Sequence, residues 1–397
     1  MSTHASLPLI ILLGAVSALT PLAIDMYLPA MPAIAEVLGT NSHRVQATLA
    51  AYTAGFALGQ LLFGPLSDAK GRRPVLLGGM LVFALAAMLC ALASSVESLT
   101  WLRGAQGFAG AASAVVVQAL VRDLFNREDF ARTMSYITLV MTLAPLIAPM
   151  LGGYLAHWFG WRSIFWVLTA VTALIALSCS FRLPETLAMA QRQPLHLASI
   201  LRSYLRLLTS PVALGFMLCG ALSFAGMFAF LTGASFIYIE IYGISPQHTG
   251  YLFGLNVISL MLFTILNGRW VHRLGSRNML RLALGLQVLA GLLMPIGPLM
   301  GWGLWSVVAP IMLYVGVIST IGSNSMASLL GSLPNLAGTA SSMAGTLRFG
   351  SAALVGALVA LLPDSSPLYM LLTMSACSLL AALAYLLLCE RSAQVEV

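Results

Sequence analysis

The chain has 397 residues, of which 59% are hydrophobic and only 8% are charged, and its mean hydropathy is +0.94. Because roughly a quarter of the residues in a soluble domain are charged, this composition excludes a soluble protein and predicts one that crosses a membrane several times. The net charge of +7 does not indicate nucleic-acid binding, since the cations lie in short segments between apolar runs and form no basic patch.

Sequence patterns that carry enzymatic chemistry are absent. There is no H-E-x-x-H pair, no Walker loop, no G-x-S-x-G elbow and no cluster of Cys and His ligands. The five cysteines have no paired spacing and are expected to be buried as small apolar residues. We therefore expect neither an enzyme nor a signalling receptor, no metal, no cofactor and no ATP hydrolysis by this chain.

Twelve apolar stretches are each long enough to cross a hydrocarbon core of about 30 Å as a helix. Their continuous apolar character excludes membrane β-strands, in which polarity alternates. The sequence predicts an all-α membrane protein of twelve transmembrane helices, with spans near 8–30, 45–66, 75–94, 98–121, 132–156, 160–182, 212–238, 247–268, 279–298, 304–328, 338–361 and 367–389.

The distribution of Lys and Arg predicts the orientation of these spans. With the N-terminus in the cytoplasm, 15 of the 19 Lys and Arg residues fall in cytoplasmic segments or at cytoplasmic helix ends. Arg44 and Arg162 then fall on the outer side, and Arg103 and Arg348 fall within spans. Because cytoplasmic loops are enriched in Lys and Arg, we expect both termini to be cytoplasmic.

Asp25, in the first span, is the one acidic residue that lies well inside a predicted span. A charge at the bilayer centre costs about 2.5–3.5 kcal/mol on insertion scales, so this carboxylate needs a partner, a cavity or a proton. Arg103, in the fourth span, falls at a similar depth and is the expected partner. Two hypotheses follow: a proton switch in which Asp25 is protonated when the pair separates, or a fixed ion pair that holds spans one and four together.

The segment Gly64–Pro74 carries one carboxylate and three cations between two apolar runs, and we expect it to be a loop at the membrane surface. Its pattern, G-P-L-S-D-x-x-G-R-R-P, resembles the signature loop between spans two and three of major facilitator transporters. The charges are expected to form a network that closes the cytoplasmic side, and the alternative is that they only set the topology. The predicted gate comprises Gly64, Asp68, Gly71, Arg72, Arg73, Arg122 and Asp123.

Spans four and five carry two further patterns. Arg103, Gln106 and Gly107 resemble the R-x-x-Q-G motif of the same superfamily, in which the arginine is linked to proton handling. Span five contains two prolines and two glycines that permit kinks and close helix contacts. It resembles the antiporter motif of proton-coupled drug exporters, with simple small-residue packing as the alternative. The residues of this motif are Pro145, Pro149, Gly152 and Gly153.

An internal duplication divides the chain into an N-terminal six-helix bundle (1–183), a cytoplasmic linker (184–210) and a C-terminal six-helix bundle (211–397). An offset of 204 positions aligns the sequence of the first half with that of the second, and major facilitator folds show two such parallel repeats. The pairs that coincide are Gly64 with Gly268, Gly71 with Gly275, Arg73 with Arg277 and Gly152 with Gly356.

Arg348 is the second cation inside a predicted span and has no acidic partner in the sequence pattern. It is expected either to bind a polar or anionic group of a substrate or to cap the carbonyls of a broken helix. Aromatic and amide residues are candidates to line a binding cavity between the halves, with a lipid-facing or core position as the alternative for each. These candidates, with Arg348, are Tyr27, Tyr52, Gln60, Gln106, Phe224, Phe228, Tyr238, Asn256 and Asn324.

The resemblance extends to one branch of the superfamily. The passages Ala23–Pro32, Val121–Asp123, Ser223–Phe228 and Gly338–Ser342 are similar to the Bcr/CflA drug:proton antiporters, the bicyclomycin-resistance branch. The resemblance implies a multi-pass protein of the bacterial inner membrane that exports small drugs by alternating access, with the proton gradient as its energy source. We expect it to work as a monomer. Since the branch also handles nucleosides, a proton-coupled nucleoside or metabolite transporter is the alternative.

Overall fold

The computed structural model describes residues 7–125, 127–192, 197–332, 337–363 and 366–390, and every regular element in these ranges is a helix. Short 3₁₀ turns occur at Leu28–Ala30 and Met189–Gln191, and π-helical turns at Ile237–Ile241 and Tyr385–Glu390. The α-helices are α1 (Leu7–Asp25), α2 (Met31–Val37), α3 (Ser42–Lys70), α4 (Arg72–Ala91), α5 (Val96–Leu124), α6 (Arg127–Phe159), α7 (Arg162–Arg182), α8 (Leu197–Thr209), α9 (Pro211–Phe236), α10 (Pro246–Leu274), α11 (Ser276–Leu293), α12 (Ile296–Leu299), α13 (Trp305–Gly316), α14 (Ile318–Ser332), α15 (Ala337–Val359) and α16 (Leu368–Ala384).

Twelve helical segments of the described ranges are long and apolar enough to cross a membrane, which confirms the predicted fold class. The first span continues past the predicted boundary because only Met26 and Tyr27 separate α1 from the 3₁₀ turn, which leads directly into α2. The segments are Pro8–Val37, Ser42–Lys70, Arg72–Ala91, Val96–Leu124, Tyr136–Phe159, Arg162–Arg182, Pro211–Ile241, Pro246–Leu274, Ser276–Leu299, Trp305–Ser332, Thr339–Val359 and Leu368–Glu390.

Local sequence chemistry sets where several of these helices begin. The side chain of Asn41 accepts a hydrogen bond of 3.0 Å from the backbone nitrogen of Arg44 and caps α3. Ser95 and Ser98 form a reciprocal capping box at the start of α5. Pro211 occupies the first position of α9, where its missing N–H group leaves no intrahelical bond unmade. These starts satisfy backbone donors that would otherwise be unpaired beside the membrane.

The segment Gly64–Pro74 is not a loop, so the sequence-based expectation was wrong on this point. α3 continues to Lys70 and α4 begins at Arg72, which leaves only Gly71 outside the helices. The reason is length: the 29 residues of α3 span about 43 Å at about 1.5 Å per residue, more than a hydrocarbon core of about 30 Å. The charged residues therefore lie on helical ends beyond the apolar region.

The turn at Gly71 recurs at Gly275, 204 positions further along the chain. Both residues lie in the left-handed region, with φ of 104° and 78°, and both end a 29-residue helix. Each donates its backbone nitrogen to the carbonyl four residues earlier, Ser67 at 3.1 Å and Val271 at 2.8 Å. The two turns support the predicted duplication, because the same backbone conformation occurs at corresponding positions of the two repeats.

The chain divides into two compact units. One comprises Met1–Leu195 with Pro246–Gly250, and the other comprises His196–Ser245 with Tyr251–Val397. The division falls inside the predicted linker 184–210. In the second unit, Phe216, Leu280 and Ile321 belong to a buried apolar core contributed by α9, α11 and α14.

The predicted linker contains a helix that its polar composition did not suggest. α8 spans Leu197–Thr209 in the second unit, and residues 193–196 before it lie outside the described residues. Leu207 of this helix is fully buried and belongs to the apolar core of the second unit. The linker is therefore attached to the second bundle by packing as well as by the chain.

All five cysteines are buried and free, as the sequence predicts. They lie in or beside the membrane-spanning helices, where a small apolar side chain packs well.

Candidate functional site

The first span breaks directly after Asp25, whose side chain is buried with 8% of the residue exposed. The backbone nitrogen of Tyr27 donates to the carbonyl of Ile24, three residues back, at 3.3 Å. The carbonyl of Ala23 thus loses the donor that a continuous α-helix supplies from four residues ahead. Pro29 has no N–H group and cannot donate to the carbonyl of Asp25. The break thus frees the Ala23 carbonyl from the helical hydrogen-bond pattern, close in sequence to the buried carboxyl group of Asp25.

Arg103 of α5 fills this break. Its side chain is completely buried, and its Nη1 atom donates to the carbonyl oxygen of Ala23 at 3.1 Å and to Oε1 of Gln106 at 2.8 Å. The Nε and Nη2 atoms have no hydrogen-bond partner among the described residues. Since all five guanidinium N–H groups are donors, Arg103 can bind a further acceptor.

Aromatic rings surround the Arg103 guanidinium. Its Cζ atom lies 4.4 Å from the ring centroid of Tyr52, 4.6 Å from that of Tyr27 and 5.8 Å from that of Phe165. The Tyr27 hydroxyl is 2.7 Å from Oγ1 of Thr48, which fixes that ring in place. The negative faces of the rings stabilise a cation that forms no ion pair with a described carboxylate.

The direct ion pair between Asp25 and Arg103 that the sequence suggests is not formed in this structure. Within the described part of the chain, none of the ion pairs involves Asp25. In this structure Nη1 of Arg103 instead donates to the carbonyl of Ala23, which the break leaves without its helical donor. Sequence reasoning placed the two charges in one region but did not anticipate a competing backbone acceptor.

Glycines bring α3 and α5 close enough to enclose this site. A Cβ atom on Gly107 would overlap the carbonyl of Tyr52, and one on Gly55 would overlap the carbonyl of Gly104. Larger residues at these crossings would separate the two helices. The close contact of α3 and α5 therefore positions the Tyr52 ring against Arg103.

The predicted antiporter motif reaches the same region. Pro145 and Pro149 lie inside α6, and both Gly152 and Gly153 are buried. A Cβ atom on Gly152 would overlap the backbone of Met26, the residue that follows Asp25. The glycine thus lets α6 pack directly against the break in the first span.

A second cluster lies at the junction of α3 and α4, with Arg72 at its centre. The side chain of Arg72 is 6% exposed. Its Nη1 atom lies 2.6 Å from Asp68 and donates to Oγ of Ser67 at 2.7 Å, and its Nε atom lies 3.3 Å from Oδ2 of Asp123. The structure therefore joins α3, α4 and α5 through one buried guanidinium, bringing together the predicted residues Asp68, Arg72 and Asp123.

Three other predicted gate residues lie at the edge of this cluster. Arg122 lies 3.8 Å from Asp123, but its side chain is 65% exposed. Arg73 forms no ion pair with the described residues and donates instead to the carbonyl of Ser180 in α7. Gly64 has only ordinary van der Waals space around it, so no close contact requires a glycine there.

Glu185 belongs to the same cluster and was missed by sequence reasoning. Its Oε1 atom accepts a hydrogen bond of 3.0 Å from the backbone nitrogen of Arg72, and its Oε2 atom lies 3.9 Å from Arg192. Thr186 next to it donates to Oδ2 of Asp123 at 3.2 Å. The only signal in the sequence was that Glu185 is the sole acidic residue of the polar interval after span six.

In the second unit, Arg348 lies against an aromatic cluster. Its Cζ atom is 4.0 Å from the ring centroid of Phe224. That ring is 5.0 Å from Phe228 and 5.1 Å from Phe349 between centroids. No carbonyl of the described residues accepts a hydrogen bond from the guanidinium, and its Nε atom is buried without a partner. The cation therefore lies against aromatic rings with its Nε atom unpaired.

The remaining cavity candidates are distributed elsewhere. Tyr238 packs with Phe230 and Phe253, and Asn256 donates to the carbonyl of Leu252 within its own helix. Asn324 donates to Oδ1 of Asn267 at 2.7 Å. Gln60 is half-buried in α3. Of the cavity candidates, the structure groups Tyr27, Tyr52 and Gln106 around Arg103. It places Phe224 against Arg348, with Phe228 packed on Phe224. The other candidates are not part of either cluster: Tyr238, Asn256, Asn324 and Gln60.

Comparison with known proteins identifies the family of this fold. The model of the Major Facilitator Superfamily matches residues 13–357. A bicyclomycin resistance protein homolog from Haemophilus influenzae is 41% identical over 383 residues, which cover 96% of this chain and 96% of that protein. A chloramphenicol resistance protein from Pseudomonas aeruginosa is 33% identical over 339 residues, covering 83% of this chain and 78% of that protein.

The solved structures agree on the fold. A D-xylose–proton symporter superimposes with a TM-score of 0.74 at 17% identity, covering 96% of this chain and 97% of the symporter. At that identity the likeness concerns the architecture alone. The family model and the 41% identical relative show that this chain is a transporter that belongs to the Major Facilitator Superfamily, in the bicyclomycin-resistance branch that its sequence resembles.

Proposed function

We propose that this protein is a proton-driven multidrug efflux antiporter of the bacterial inner membrane, which exports bicyclomycin-like and other small drugs by alternating access. The observation that carries the proposal is the 41% identity, over 96% of both chains, to a protein named for bicyclomycin resistance. The likeness to a chloramphenicol resistance protein supports a substrate range wider than one drug.

Asp25 is proposed as the proton-binding group. Its carboxyl group is buried at the break in the first span and has no cationic partner among the described residues. An isolated charge in the membrane is costly, and taking up a proton removes that cost. Because the helix ends at Asp25, the backbone there can change conformation together with the side chain when the carboxyl group gains or loses a proton.

Arg103 is proposed to exchange partners during the cycle. In the present structure its guanidinium holds the carbonyl of Ala23 and Oε1 of Gln106, with two nitrogens unpaired. Those nitrogens can bind the ionised carboxylate of Asp25 after it releases its proton. The ion pair and the protonated acid are then two alternative states, each of which leaves no isolated carboxylate in the membrane.

The cluster around Arg72 is proposed to be the cytoplasmic gate. The excess of Lys and Arg on this side supports a cytoplasmic location, with both termini on the same side. Arg72 and its carboxylate partners hold the ends of three helices together, so the gate would move as a block. We infer that the protein acts as a monomer and needs no cofactor beyond the proton gradient.

Arg348 and its phenylalanine neighbours are proposed as a drug-binding element. The guanidinium has a buried, unpaired Nε atom and lies against Phe224, whose ring in turn contacts Phe228 and Phe349. A guanidinium beside apolar rings suits a small drug with an oxygen acceptor and an apolar body.

The test is transport by the purified protein in liposomes with an imposed pH gradient. The panel comprises bicyclomycin, a phenicol and a nucleoside, and an ionophore that collapses the gradient is the control. We expect drug movement against the direction of proton flow, which stops when the gradient is collapsed. Drug flux that is indifferent to the gradient would overturn proton coupling. Coupled flux of the nucleoside with no flux of the drugs would instead establish the alternative, a nucleoside or metabolite transporter.

A further inference from the structure

Helix α8 presents three different surfaces along its 13 residues. Leu207 is fully buried in the core of the second unit, and the hydroxyl of Tyr204 lies 3.3 Å from Oγ of Ser342. These two residues attach the helix firmly to its bundle. The helix is therefore an ordered part of the second unit, and its other surfaces have a fixed direction.

An apolar stripe on α8 is exposed. Leu201, Leu205 and Leu208 are 60%, 52% and 38% exposed, and their i, i+4, i+7 spacing places them on one side of the helix. Three exposed leucines in a row are unfavourable in water, since each loses the gain of burying its side chain. The described residues of the second unit leave this stripe uncovered.

Two arginines lie next to the stripe, along one side of it. Arg202 and Arg206 are exposed, are four residues apart and have no carboxylate partner within the described ranges. The helix itself contains no Asp or Glu. Its charged surface is thus purely cationic, which is complementary to an anionic partner.

The position of α8 in the chain indicates what that partner is. The helix ends at Thr209, and the membrane-spanning segment Pro211–Ile241 begins two residues later. The end of α8 is therefore held at the membrane surface. At about 20 Å for 13 residues the helix is too short to cross the bilayer, and its apolar stripe beside cations is typical of a helix that lies in the lipid interface.

We propose that α8 lies in the membrane interface, with its leucine stripe among the acyl chains, and that Arg202 and Arg206 bind the headgroups of anionic phospholipids. The contact anchors the connection between the two units to the lipid. Attraction between basic residues and an anionic membrane surface amounts to about fivefold in affinity for each arginine at low salt.

The experiment measures which lipid surrounds the helix. The full chain with Leu205→Cys is labelled with a fluorophore and reconstituted in bilayers that contain brominated phosphatidylglycerol or brominated phosphatidylcholine, whose acyl chains quench the label. The five native cysteines are buried, and the unsubstituted chain taken through the same labelling gives the background. We expect quenching by both lipids, with several-fold preference for phosphatidylglycerol that weakens with added salt.

The matched variants decide the role of the arginines. Arg202→Gln with Arg206→Gln in the labelled chain should abolish the preference while quenching by phosphatidylcholine persists. Arg269→Gln with Arg273→Gln, two exposed cations with the same spacing on α10, makes the same charge change and should leave the preference intact. Absence of quenching by either lipid would overturn the interfacial position of α8. Equal quenching by both lipids, unchanged by the first variant, would overturn the headgroup contact.

Discussion

The guanidinium of Arg103 donates a hydrogen bond of 3.1 Å to the backbone carbonyl of Ala23, 80 residues away in the chain. This carbonyl is available only because the first span breaks two residues later, at Asp25. A buried cation and a buried carboxyl group are thereby held at one helix break without neutralising each other. We propose that at this break Asp25 takes up and releases a proton while Arg103 changes its hydrogen-bond partner.

Substitution of Asp25 tests the proton-binding proposal. We expect Asp25→Asn to lose drug accumulation driven by a pH gradient, because an amide cannot take up and release a proton. Exchange of labelled for unlabelled drug without a gradient should continue. Both are measured in liposomes, with Asp25→Glu as the matched variant that keeps a titratable group and part of the gradient-driven activity. Full gradient-driven transport by Asp25→Asn would eliminate this carboxyl group as the coupling site.

Replacement of Arg103 by lysine tests whether charge alone suffices. A lysine keeps the cation but cannot present a planar fork to both the Ala23 carbonyl and Gln106 while lying against two tyrosine rings. We expect Arg103→Lys to reduce transport at least tenfold and to lower the thermal unfolding midpoint of the purified protein. The measurements are drug efflux from cells and unfolding in detergent. Activity equal to that of the unsubstituted protein would mean that the hydrogen-bond geometry is unimportant.

The turn at Gly71 should tolerate a side chain less well than its repeat counterpart. A left-handed conformation costs a non-glycine residue about 1–2 kcal/mol, and this cost applies to both Gly71→Ala and Gly275→Ala. A Cβ atom at Gly71 would also meet the carboxylate of Glu185, whereas nothing lies within 4 Å of one at Gly275. Gly71→Ala is therefore expected to be the more destabilising substitution, as judged by thermal unfolding. The opposite order would show that Glu185 moves aside at no cost.

Arg72 should contribute far more to stability than its neighbour Arg122. The Arg72 side chain is 6% exposed and contacts two carboxylates, while Arg122 is 65% exposed and contacts one at 3.8 Å. Removing one partner of a buried ion pair costs about 3–5 kcal/mol, and an exposed pair contributes about 0–1 kcal/mol. We expect Arg72→Gln to lower the unfolding midpoint by many degrees and Arg122→Gln to have little effect. Similar midpoints for the two variants would contradict a central role for Arg72.

Gly152 should be required for transport through its contact with the first span. A Cβ atom there would overlap the backbone of Met26, so Gly152→Ala must push α6 away from the break at Asp25. Gly322→Ala, also within a membrane helix but with open space around it, is the control. We expect Gly152→Ala to lose most drug efflux activity while Gly322→Ala retains it. Equal activities would mean that the break adjusts freely.

The sequence by itself determined the twelve spans, the family and the correspondence of Gly71 with Gly275. These depend on patterns along the chain, namely apolar runs, charged motifs and residues that repeat at a fixed offset. The structure then showed that each of the two glycines forms a turn between two helices. It also pointed to Asp25 and Arg103 as charges that need partners, because an isolated charge is costly in a membrane. Arg72 it placed in a charge network at the cytoplasmic side.

Only the tertiary structure decided which partners those charges have. Arg103 contacts the Ala23 carbonyl because a local helix break leaves that backbone oxygen without its helical donor. Residue types along the sequence do not show where such a break occurs. Glu185 reaches the backbone of Arg72 across 113 residues because the chain after α7 returns to the end of α3. Both contacts are set by the approach of helices that are distant in sequence. The pattern of residues therefore fixed where charge had to be compensated, and packing selected the atoms that compensate it.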